Sequence, residues 1–176
     1  KALYEELCVS RQDTPAASMC AIEYYEDSLL PLARLYNLER ELDQALQEKI
    51  WLKSGGFLVI QQTEAFAAID VNTGKHSSKK DAEENYKQIN REAALEIARQ
   101  IRLRNISGII MIDFINMKDE KQKEKLLLLL ENECRKDRIH CNVVDMTALN
   151  LVEMTRSKVR RPLLEQITIC RKMQKN

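Results

Sequence analysis

The feature that most constrains this 176-residue chain is the run Gly108-Ile109-Ile110-Met111-Ile112-Asp113. Isoleucine is branched at Cβ and favours strands, and a run apolar at both alternating sets of positions belongs inside a covered sheet rather than at an edge. Helical patterns bracket it. Upstream, Ala82, Tyr86, Ile89, Ala93, Ile97 and Ile101 keep a helical period up to Asn105, and Asp81 with Glu84 has capping-box spacing at the start. Downstream, a second helical pattern covers 119–136, and its five consecutive leucines at 126–130 are expected to be largely buried. A short buried strand between two long helices calls for an α/β fold.

The flanking segments complete the pattern. Phe57–Gln62 and 65–72 are strand candidates separated by Thr63-Glu64, which predicts an antiparallel pair. A further strand is expected over 140–146, and a basic, helical tail from Leu151. The first third predicts a short strand over 20–25 and a helix over 28–50, with Leu32, Leu35, Leu38, Leu42 and Leu46 on one face. Lys53-Ser54-Gly55-Gly56 holds two of the four glycines in the chain, breaks that helix and marks a subdomain boundary. The order β-β-α-β-α-β-α argues an α/β sandwich, a mixed sheet flanked by helices.

Composition excludes several classes of function. With 44% hydrophobic and 31% charged residues, the chain forms a core, and at this length about 70% of the unfolded surface can be buried without metal or disulfide. Lys+Arg 28 against Asp+Glu 27 leaves a formal charge of +1, so any polyanionic partner must meet a local patch. The five cysteines are scattered and include no C-x-x-C pair, which suits a reducing compartment. Without a signal peptide or an apolar run near the ~20 residues of a membrane span, the expected location is cytoplasmic and no membrane partner is expected. The chain opens at Lys1 in a helix-like stretch with no initiator Met, which reads as a piece of something longer.

Strand parity locates the chemistry. Side chains alternate along a strand, so Asp70 and Asn72 point the same way at the end of an apolar strand, just before Thr73-Gly74. Asp113 ends the isoleucine run. Two carboxylates closing buried strands are costly to bury unpaired, which favours one shared hard cation, Mg²⁺ or Mn²⁺. The alternative is that each Asp caps a turn or the next helix. Glu64 reads as a turn residue and Glu153 as a helix residue. Basic residues gather as Arg99, Arg102 and Arg104 at one helix end and as six Lys/Arg against the single Glu165 over 156–172. Such patches suit phosphates, or else balance a helix C-terminus and solvate a tail. Aromatic content of 5% gives no expectation of base stacking. His76 and His140 read as surface or satisfied residues, and no Ser-His-Asp order, Walker loop or Rossmann glycine pattern is present.

At these same positions stand Ser54-Gly55-Gly56-Phe57-Leu58-Val59-Ile60, Gln62-Thr63-Glu64-Ala65 and Ile69-Asp70-Val71-Asn72-Thr73-Gly74. Their resemblance to the catalytic region of the ribonuclease E/G family is close. It continues in order through Asn90-x-Glu92-Ala93-Ala94-x-Glu96 to Asn105, Gly108 to Ile115, and Leu151-Val152-Glu153-Met154-Thr155-Arg156, covering about residues 23–168. Gln61 and Asn116 stand where the family usually has Asp, at positions assigned no metal role. The resemblance implies a DNase I-like catalytic subdomain over 53–168, the tail of an RNase H-like subdomain over 1–52, and a basic tail over 169–176. It implies cleavage of single-stranded RNA with one Mg²⁺ held by Asp70 and Asp113, supported by Asn72, and RNA-backbone contacts from Arg102, Arg104 and Arg156. The S1 and 5′-end-sensing domains of the family are not in this chain. Self-association stays open, but the C-P-x-C zinc-link motif is absent because Cys170 stands alone. A rival reading is an RNA-binding or structural fragment with little activity of its own.

Overall fold

The computed structural model describes residues 24–74 and 82–173. The expected capping residue Asp81, His76, Cys8, Cys20 and the first part of the strand expected over 20–25 lie outside the described residues. The chain divides into two compact units between Leu42 and Asp43. In the region expected as one long helix there are two, α1 (Leu32–Leu35) and α2 (Leu38–Ala45). Asn37 between them takes φ +52, a left-handed conformation that stops a right-handed helix. The leucine face is not buried: Leu32, Leu35, Leu38 and Leu42 are exposed.

The second unit is built on a mixed sheet that has six strands among the described residues. They are β1 (Lys49–Trp51), β2 (Phe57–Gln62), β3 (Phe66–Asn72), β4 (Gly108–Asp113), β5 (Cys141–Met146) and β6 (Leu151–Arg156), in the order β1-β2-β3-β4-β6-β5. Only β3 and β4 pair in parallel; the other neighbours are antiparallel. Helix α3 (Ala82–Arg104) joins β3 to β4, and α4 (Glu120–Cys134) carries the chain from β4 past β6 to β5. Both crossovers advance the same way across the sheet. Right-handed connections then put both helices on one face.

Burial follows that geometry. Leu58, Ile60, Ala67, Ile69, Val71, Ile110, Ile112, Val152 and Met154 form one core with Ile89, Ala93, Ile97 and Ile101 of α3 and Leu126 and Leu130 of α4. The alternate residues, among them Val59, Ala68 and Met111, form a second face that the helices leave open. The expectation that β4 is covered on both faces is therefore corrected: Ile109 is 53% exposed. Of the leucine run, Leu126 and Leu130 enter the core, Leu127 and Leu129 pack against it, and helical spacing leaves Leu128 55% exposed.

Two elements were not anticipated. Residues from Leu151 form β6, a strand inserted between β4 and β5, and the helix of the tail, α5 (Leu163–Met173), begins only later. Lys49–Trp51, expected as the end of a helix, pairs with β2 as an edge strand. Both β1 and the glycines after it fall in the second compact unit.

Candidate functional site

Asp70 and Asp113 are register partners at the carboxyl ends of the one parallel strand pair. Neighbouring strands lie ~4.8 Å apart and register partners share a face, so the two carboxylates stand side by side on the open face. Asn72 follows on that face two residues later, and its Nδ2 donates to Asp70 Oδ2 at 2.7 Å. The Asp113 carboxyl is pushed above the ordinary aspartate range, by partial burial first and then by the negative charge of Asp70. Among the described residues no ion pair involves either aspartate. Nor do three or more His, Cys, Asp or Glu side chains converge there on a point where an ion could sit.

Two apposed carboxylates with no ion-pair partner among the described residues could hold a hard divalent ion. Mg²⁺ is commonly held by one or two protein carboxylates while it keeps several waters, so Asp70 and Asp113 could serve as its protein donors. Glu153, read from sequence as a helix residue, lies on β6 opposite Met111 and faces the same open side without joining the pair. Glu64 sits in the turn between β2 and β3, as expected, and His140 is exposed.

Helix α3 holds both loops that border the carboxylates. Fully buried Asn90 donates from Nδ2 to the Ile115 carbonyl at 2.7 Å and accepts the Ile115 N–H on Oδ1 at 3.0 Å, fixing the chain just past Asp113. Glu92, two residues on, accepts the backbone N–H groups of Lys53 at 2.5 Å and Ser54 at 2.9 Å. Burial raises the Glu92 pKa, but the Ser54 and Lys53 hydrogen bonds and the Lys53 charge outweigh it and hold the carboxylate below its usual range. The loop so anchored must pack closely: a Cβ on Gly56 would lie 2.8 Å from the Asn72 carbonyl oxygen and 2.7 Å from Ile89 Cγ2. At Gly74, with φ +69, an added Cβ would run into the Gly55 carbonyl oxygen, so a side chain has no room. Asn90 and Glu92 are visible in sequence only as members of a motif. Nothing in their spacing tells which loops they bind.

The three arginines expected to contact an RNA backbone lie away from the carboxylate pair. Arg104 is 8% exposed, its Nε donating to Gln100 Oε1 at 2.7 Å and a terminal nitrogen to the Gln47 carbonyl at 2.6 Å. Arg156 is 4% exposed and bonds Asp137 Oδ2 at 2.8 Å, Asn105 Oδ1 at 2.9 Å and the Ile106 carbonyl at 3.0 Å. Half-buried Arg102 donates to the Glu133 carbonyl at the end of α4 at 3.2 Å. Arg156 pairs in register with Gly108, at the opposite end of β4 from Asp113, roughly 17 Å away at ~3.3 Å per residue. Helix α3 returns to that same end, which puts Arg102 and Arg104 there too. The guanidinium groups of Arg104 and Arg156 are thus occupied inside the protein.

No helix among the described residues is long and apolar enough to cross a membrane. The family model described as "Ribonuclease E/G family" matches residues 1–159. Ribonuclease G of Escherichia coli (strain K12) is 44% identical over 133 residues, which is 76% of this chain and 27% of that protein. Ribonuclease E of Nostoc sp. is 35% identical over 144 residues, 82% of this chain and 21% of that protein. The chloroplastic ribonuclease E/G-like protein of Arabidopsis thaliana is 38% identical over 159 residues, 89% of this chain and 16% of that protein. The chain thus spans 27% or less of the length of these relatives. With its motifs in order and a family match across most of its length, the chain belongs to the ribonuclease E/G family.

Proposed function

We propose that this chain carries the cleavage centre of a metal-dependent endoribonuclease that hydrolyses single-stranded RNA in the cytoplasm, with Asp70 and Asp113 as the residues that would hold one Mg²⁺ or Mn²⁺. The observation that carries the reading is the side-by-side placement of the two carboxylates at the ends of β3 and β4, in a chain of a ribonuclease family. When bound, such a cation acidifies water and offsets charge on a phosphodiester. Asp70 and Asp113 contribute the negative charge that attracts it. Asn72, bonded to Asp70 Oδ2, keeps that carboxylate turned along the open face and is a positioning residue. Hydrolysis by water leaves a 5′-phosphate and a 3′-hydroxyl. In the same reading, the sheet-bearing unit is DNase I-like and the residues before it are the tail of an RNase H-like subdomain.

The test is substitution with two readouts. Asp70→Asn and Asp113→Asn should each abolish Mg²⁺-dependent cleavage of an unstructured RNA, weaken Mn²⁺ binding measured by electron paramagnetic resonance, and leave the circular dichroism spectrum unchanged. Wild-type cleavage by either variant rules out the assigned roles. Mn²⁺ and RNA binding without cleavage in the unaltered chain would instead favour a binding fragment.

A further inference from the structure

The three arginines lie at the far end of the sheet, so a grip for substrate near the carboxylates has to come from other residues of the open face. Its first two strands supply one. Trp51 on β1 is the single tryptophan of the chain and is 65% exposed. Its ring lies 5.2 Å from that of Phe57 on β2, the planes inclined by 57°. Lys49 sets its ammonium 4.2 Å from the Trp51 ring centroid and 3.7 Å from that of Phe57. Trp51 pairs in register with Phe57, and Phe57 with Asn72, so the rings, the amide and the carboxylates occupy consecutive strands of one face. At ~4.8 Å between strands, Trp51 stands only ~10 Å from the strand of Asp70.

We propose that Trp51 and Phe57, with Lys49, form a nucleotide subsite that stacks an unpaired base of the RNA strand next to the carboxylate pair. This rests on the reading of Asp70 and Asp113 as the cleavage centre. An aromatic face accepts any base, and the adjacent ammonium suits the phosphate that follows it. A protein partner laid over Trp51 and Phe57 would also cover Asn72 and close the site to substrate, whereas a single strand running across β1 and β2 leads into it. Despite the low aromatic content of the chain, two rings suffice when strand register brings them together.

Because Trp51 is the lone tryptophan, its emission reports this subsite directly. In the full chain, in EDTA so that binding is read without cleavage, a short single-stranded RNA should quench Trp51 emission, and an otherwise identical oligonucleotide with abasic positions should quench far less. By anisotropy of labelled RNA, Trp51→Ala should weaken binding about tenfold, Trp51→Phe should restore most of it, and Trp51→Leu should not. In the Mg²⁺ reaction the loss should fall on KM rather than on kcat. Equal quenching by the abasic strand, or unchanged affinity in Trp51→Ala, overturns the subsite. So does a tryptophan that acrylamide cannot reach in the free chain, which would mean that protein covers the face. None of these results depends on whether Asp70→Asn and Asp113→Asn lose cleavage.

Discussion

Arg156 and Asp137 form the most enclosed ion pair among the described residues, with side chains 3% and 7% exposed. Burial raises the Asp137 pKa, but hydrogen bonds from Arg156 and the Ile139 amide, with the charges of Arg156 and Arg102, bring it below the ordinary 3.8. A depressed carboxylate adds stability that is complete above its unfolded value and is lost as pH falls through the lower folded one. Asp137→Ala should therefore destabilise the fold by about 3–5 kcal/mol at neutral pH, because it strands a buried guanidinium, and should flatten the acid limb of a thermal-denaturation profile below pH 3.8. An unchanged acid limb contradicts the pairing. Asn90→Ala removes two bonds to Ile115 and should cost about 1–3 kcal/mol in urea denaturation while lowering Mn²⁺ affinity, since Asp113 loses its anchor. At this scale the candidate carboxylates are legible in the sequence because alternation points Asp70 and Asn72 the same way and Asp113 closes an apolar strand. The arginines are not, because a cluster of like charges in sequence does not reveal Asp137, Gln47 or the Ile106 carbonyl waiting in the fold.

Among the elements, the paired strands β2, β3 and β4 and the helices α3 and α4 follow from period and spacing. Strand β6 escaped for a physical reason. Its buried set is Val152, Met154 and Arg156, and an arginine on the core side makes the alternation look polar until its ion pair is seen. Strand β1 is short and its edge position leaves Lys49 and Trp51 outside the core, so it lacks a burial signal of its own. The leucine run of α4 offers a direct check on which face is packed. Leu130→Ala should cost about 2–5 kcal/mol by calorimetry, whereas Leu128→Ala, at an exposed position, should stay within about 0.5 kcal/mol. Similar losses at both sites would mean that α4 is covered on its outer side as well.

For the sheet-bearing unit as a whole, the sandwich expected from the element order has its helices on one side only, and chain handedness explains why: two crossovers that step the same way cannot cover both faces. That asymmetry becomes readable only when β5 is known to lie on the far side of β4 from β3. It leaves one helix, α3, in charge of two separate loops, through Asn90 at Ile115 and Glu92 at Lys53 and Ser54. The two loops cannot come loose one at a time without breaking a bond to the same rigid rod. In kinetic language they share a single opening rate, and the amide hydrogens of Lys53, Ser54 and Ile115 should exchange with deuterium at a common pace set by the departure of α3 from the sheet. The border of the carboxylate pair would then behave as one hinged frame, shut or open together, rather than as two independent flaps.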